Sequence, residues 1–206
     1  MDTDQKPSDA FMTALVTEHS VLQGIRSTLT SESASRASLY LASLTGSLIA
    51  LGFVTRDSAV LAAFAAAVLP ALLVLGEFTY WRLVQVGVEE LHHAWEMKRI
   101  RAYYRQLVPS GLPFFGDAKP EAFAARSREF MGIRARDYNV LLTIASMVAA
   151  INSMVAGAGI ALWLHAAGTL SAGWAIGLGA SIAVVLFLAH GRLAIRSYNA
   201  GLADLA

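Results

Sequence analysis

The sequence predicts an all-α protein: a four-span transmembrane helical bundle whose long helices extend into the cytoplasm. Three observations carry that expectation. Hydrophobic residues make up 56% of the chain and the mean hydropathy is +0.52, above the range of soluble domains. The apolar residues gather into four runs, each long enough for the about 20 helical residues that cross a roughly 30 Å hydrocarbon core. Ten of the sixteen Lys and Arg residues fall between Glu77 and Asp137, with two of the apolar runs on either side. A net charge of +1 leaves no nucleic-acid footprint, and the absence of Cys excludes disulfides and thiolate-ligated metals.

Residues 1–37 are expected to form a cytoplasmic amphipathic helix. Asp9 serves as N-cap, and Phe11, Leu15, Leu22, Ile25 and Leu29 recur at three-to-four spacing. Glu32 and Arg36 add a favourable i,i+4 pair. No Gly or Pro separates this segment from span 1, so one helix is expected to run into the membrane. The acidic start MDTDQKPSDA does not suit a signal peptide, which leaves span 1 as the insertion signal.

Residues 38–76 read as a transmembrane hairpin. Span 1 covers about 38–54, and Thr55-Arg56-Asp57-Ser58 makes a tight turn. Span 2 begins near Ala59, is expected to kink at Pro70, and meets the headgroups at Tyr80, Trp81 and Arg82. The helical pattern continues to about Leu107. Its outer half carries two apolar stripes, Val84/Val88/Leu91/Trp95 and Met97/Ile100/Tyr104/Leu107, which predict two neighbours and thereby an oligomeric collar. Pro109, Gly111, Pro113 and Gly116 close that helix, and a second one from Pro120 is expected to run back into span 3. Residues 77–137 are thus a cytoplasmic helical hairpin, with ten basic and eight acidic residues.

Residues 138–190 form the second transmembrane hairpin, with span 3 at about 138–164 and span 4 at about 172–189. Residues 191–206 are read as a short cytoplasmic tail. Fifteen of the sixteen basic residues then lie on one side, so the positive-inside rule puts both termini in the cytoplasm of a multi-pass protein of the cell (inner) membrane. Trp163 and Trp174 anchor the opposite interface.

Three constellations could carry function. On span 1, Arg36, Tyr40, Ser43, Ser47, Ala50 and Val54 are spaced as one helical face, basic at the cytoplasmic mouth and hydroxyl-bearing in the middle. Repeated around an axis, that face would line a pore, whereas plain packing is the competing reading. On spans 3 and 4, Ser146, Asn152, Ser153, Gly157, Gly173 and Gly177 make small or polar stripes suited to tight packing inside the bilayer. On the cytoplasmic part of the second helix, Glu89, His92, His93 and Glu96 hold two overlapping Glu-x-x-His spacings, a candidate metal or proton site set against a solvated charged face. His165 and His190 fall at opposite ends of their spans and read as interfacial residues. No ionisable residue is expected deep in a span, which argues against a proton relay. No nucleophile elbow, zinc-protease motif or phosphate loop occurs, so neither a catalytic group nor a cofactor is expected.

Taken whole, the chain resembles the uncharacterised four-span integral membrane proteins common in bacteria, in its architecture and in its EHSVLQGIRSTLTSESASRASLYL lead-in to span 1. Through Ser35-Arg36-Ala37-Ser38 that lead-in also resembles the Orai calcium channels, in which a cytoplasmic helix runs unbroken into span 1 and four spans form a ring lined by span 1. The resemblance covers about 20 residues. The calcium-selecting Glu of that family would fall near Leu51, so it does not imply calcium selectivity. These readings lead to a homo-oligomeric membrane channel, with span 1 at the axis and a cytoplasmic helical collar, as the first expectation. A non-conducting scaffold or signalling effector that binds a cytoplasmic protein through its helices is the second. A metal-dependent membrane enzyme using the Glu/His cluster is the third.

Overall fold

A computed structural model describes residues 8–54, 58–107 and 143–205. These residues form an all-α bundle of four helices, each long and apolar enough to cross a membrane: α1 (Asp9–Val54), α2 (Ser58–Leu107), α3 (Ile144–Ala166) and α4 (Ala172–Ala203). The expected turn at 55–57, the Pro/Gly turn, the returning basic helix and the start of span 3 all lie outside the described residues.

The lengths follow from the absence of breakers. With 46 residues α1 is about 69 Å long, and with 50 residues α2 is about 75 Å, each more than twice the hydrocarbon thickness. α2 remains helical through Pro70. The four helices run alternately up and down, so the start of α1, the end of α2, the start of α3 and the end of α4 share one charged end. α2 and α3 lie at the centre, α1 packs chiefly on α2, α4 packs chiefly on α3, and α1 and α4 barely meet.

Two helix limits are set by local bonds and by packing. α3 opens at an N-cap on Thr143, whose backbone is extended. The Thr143 hydroxyl accepts from the Ser146 amide while the Ser146 hydroxyl accepts from the Thr143 amide, a reciprocal capping box. Most of the segment read as a tail is helical. α4 continues to Ala203 and lays Tyr198 and Leu202 into the core beside Val84 and Leu91 of α2.

The two apolar stripes of α2 consequently find both of their neighbours inside the same chain. Val84, Val88 and Leu91 meet the end of α4, while Met97 and Ile100 enclose Leu22 of α1 with Leu15 and Tyr104 beside them. Phe11 and Tyr103 close this arm edge to face, 5.6 Å apart. The best-buried large side chains, among them Tyr40, Tyr80, Val84, Val148 and Asn152, cluster toward the charged end. The opposite half has two apolar grooves of about 620 and 420 Å³ lined by Ala and Gly.

Candidate functional site: a polar centre among four helices

The bundle encloses one polar centre to which all four helices contribute. Gly76 makes it possible. A Cβ there would be driven into the Asn152 amide, so the glycine lets α3 bring that amide against the backbone of α2. The Asn152 Nδ2 then donates to the Leu73 carbonyl at 3.3 Å and to Glu77 Oε1 at 2.9 Å. Its Oδ1 accepts from the Tyr40 hydroxyl of α1 at 3.4 Å. These partners set the amide's orientation, because reversing it would turn its oxygen toward two acceptors.

α4 supplies the other half. His190 Nε2 lies 2.9 Å from the same Glu77 Oε1, and its Nδ1 lies 2.8 Å from the Leu186 carbonyl one turn back. The Tyr80 hydroxyl donates to the His190 carbonyl, and its ring stands edge-on to the imidazole at 4.6 Å. Tyr40 is 0% and Asn152 2% exposed, and the His190 side chain is 11% exposed, whereas the Glu77 side chain is 43% exposed.

Its depth follows from the helical rise. Asn152 is eleven residues along α3 from Trp163 and His190 sixteen along α4 from Trp174, about 16 and 24 Å. Exposed Leu39, Phe78, Trp81 and Met147 surround that level. Glu77 and His190 therefore meet Asn152 toward the charged end of the apolar helices, with His190 close to Arg192 and Glu77 five residues from Arg82. The meeting of these three side chains is not among the sequence expectations, in which His190 reads as an interfacial residue and Glu77 has no assigned role. A signal was present in the sequence: Leu73, Val74, Tyr80 and Trp81 flank Glu77 at i±3 and i±4, so its own helix provides no cation.

The face predicted to line a pore does not form one open stripe. Tyr40 is enclosed by its own bundle; Ser47, Ala50 and Val54 are half-buried; Ser43 is exposed and returns its hydroxyl to the Leu39 carbonyl. Arg36 is held by Glu32. The outward face of α1 is instead Ser38, Ala42, Thr45, Gly46 and Ile49, all exposed.

The α3–α4 packing is likewise shifted in register. Gly157 meets Gly179 backbone to backbone, with Ala175 and Ala183 on the same face of α4. Gly173 and Gly177 point to open space. Both α4 stripes have small residues at a spacing of four, and only the position of Gly157 selects between them. Ser146 belongs to the α3 cap, and the Ser153 hydroxyl is buried with no partner among the described residues.

The Glu/His cluster is divided among separate partners. Arg82 bridges Glu89 at 3.0 Å and Glu32 of α1 at 3.0 and 3.2 Å, and Arg26 reaches Glu90 at 2.9 Å. His92 bonds to the Gly201 carbonyl, and His93 pairs with Glu96 on its own helix. Among the described residues no three His, Asp or Glu side chains gather as metal ligands. The bonds from Arg82 and then Arg36 pull the Glu32 carboxyl down to about 2, so this α1–α2 clamp stays ionised well into acid.

No protein-family model, curated protein or solved structure matches this chain.

Proposed function

We propose that this protein handles an ion inside the membrane, through the centre formed by Tyr40, Glu77, Asn152 and His190. One observation carries the reading: a carboxylate and an imidazole in contact toward the inner end of helices long and apolar enough to span a membrane, beside a buried amide and a buried tyrosine. Ionisable groups at such depth are costly, and they mark ion pathways and relays in membrane bundles. The reading keeps ion conduction as the activity and moves it from an axial α1 face to the interior of each chain. The distribution of basic residues supports an inner-membrane orientation with the charged end in the cytoplasm. The exposed hydroxyl- and glycine-bearing face of α1 supports self-association along that helix.

The test is flux in proteoliposomes under imposed proton, sodium, potassium and chloride gradients. Wild-type protein is expected to dissipate one of them, and Glu77→Gln to abolish that activity while circular dichroism stays helical. Flux no greater than that of protein-free vesicles under every gradient would overturn the proposal.

A second reading rests on a different observation, the α1–α2 arm. Its own core of Leu22, Met97 and Ile100 and its interhelical clamp Arg82–Glu32 make it a preformed rod at the charged end. Such a rod suits a non-conducting scaffold or effector that engages a cytoplasmic protein. Under that reading Glu77→Gln leaves function intact, and arm substitutions such as Arg26→Glu remove it.

A further inference from the structure

We infer that Glu77 and His190 hold one proton in common, and that the proton is the ion this centre takes. The inference rests on the ion-handling reading above and names its ion. It follows from counting hydrogens. The Leu186 carbonyl can only accept, so the His190 Nδ1 that faces it carries a hydrogen. The Glu77 Oε1 already receives an N–H from Asn152, whose orientation is set by Tyr40 and Leu73. The remaining contact, Nε2 to Oε1 at 2.9 Å, needs a single hydrogen between its two atoms.

That hydrogen belongs to an imidazolium facing a carboxylate or to a carboxylic acid facing an imidazole. Both arrangements leave the pair neutral overall, which suits its place between apolar helices. Removing the proton leaves two lone pairs opposed and a net negative charge. The opposition falls between Nε2 and Oε1 or, with the ring's remaining hydrogen moved to Nε2, between Nδ1 and the Leu186 carbonyl, while Asn152 keeps Glu77 joined to α3.

The surroundings favour a proton over a metal cation. The two nearest partners of Glu77 Oε1 are nitrogens, one an N–H donor in every state, where a hard cation needs oxygens. Tyr40 faces the centre from α1, Tyr80 from α2, Asn152 from α3, and Tyr198 stands near Tyr80 from α4. Arg82, the next cation along α2, is occupied by Glu32 and Glu89, and among the described residues no Arg or Lys pairs with Glu77.

The experiment is a pH titration of the full chain in phosphatidylcholine–phosphatidylglycerol vesicles. His190 is followed by nitrogen NMR of histidine-labelled protein, with His190→Gln to assign the signal. Glu77 is followed by its carboxyl stretch in infrared difference spectra. In the wild type both probes are expected to change together with a common midpoint as one proton per chain is released, the group that carried it losing a hydrogen and the other losing its hydrogen bond. Glu77→Gln is expected to remove the infrared change and displace the His190 midpoint. Independent midpoints in the wild type overturn the inference. So does a His190 midpoint left unaltered by Glu77→Gln, or a His190 signal moved at fixed pH by millimolar zinc or calcium chloride. Coupled titration without proteoliposome flux would refute the ion-handling function and leave the shared proton standing. Flux without coupled titration would do the reverse.

Discussion

Replacing Gly157 or Gly179 with Ala probes the point on which the α3–α4 pair depends. An added Cβ at either position is driven into the carbonyl oxygen of the other glycine. The obstacle is backbone on both sides, so no rotamer change relieves it. Restoring ordinary C···O contacts of about 3.3–3.6 Å requires the helices to part by roughly 1 Å. A gap of that size forfeits about a third of the dispersion energy of about 50 close atom pairs worth about 0.15 kcal/mol each, or about 2–3 kcal/mol. That agrees with the roughly 1–3 kcal/mol cost of overpacking. Reversible unfolding in mixed detergent micelles measures the loss. The double variant is expected to cost less than the sum of the two singles, because one separation accommodates both methyl groups. Gly177→Ala, where the added methyl meets open space, is the control and is expected to be neutral or slightly stabilising. If Gly157→Ala matches Gly177→Ala, or if the two crossing variants add fully, the backbone contact is refuted.

Other consequences can be checked with the same protein. Asn152→Ala removes hydrogen bonds to Tyr40, Leu73 and Glu77, and at about 0.6 kcal/mol for each interhelical bond it is expected to cost about 2 kcal/mol in the same unfolding assay. The Glu32–Arg82 clamp depends on pH with a definite sign. The Glu32 carboxyl falls from 4.5 to about 2 in the folded chain, so its contribution is fully present above pH 4.5 and lost only as pH falls through about 2. A spin-label distance between α1 and the outer half of α2 is accordingly expected to be unchanged at pH 3.5 and to lengthen in Glu32→Gln. Gly87→Ala pushes against the Tyr198 hydroxyl, a side-chain end that can swing, and is expected to cost less than Gly157→Ala.

Much of the architecture was legible from composition and periodicity, because they report the solvent each helix face meets. Four apolar runs, the unbroken passage from residue 9 through span 1 and the length of α2 all follow from the absence of breakers and from membrane thickness. The limits of α3 and α4 were less legible. Thr143 and Ser146 look like packing residues until their reciprocal bonds mark a helix start, and Tyr198 and Leu202 look like a tail until α2 presents Gly87 and Val88 to them.

What the sequence by itself determined is which segments are helical and apolar enough to span a membrane. What only the tertiary structure decided is which of several equivalent stripes meets a partner: Gly179 over Gly177, Tyr40 turned inward, and both faces of α2 covered within one chain. The polar centre belongs to that second kind. Glu77 and His190 are 113 residues apart, and each is surrounded along its own helix by apolar neighbours. A helical period records which way a side chain points but not what stands opposite. Only the packing of α2 against α3 and α4 places the carboxylate, the amide and the imidazole within hydrogen-bonding distance.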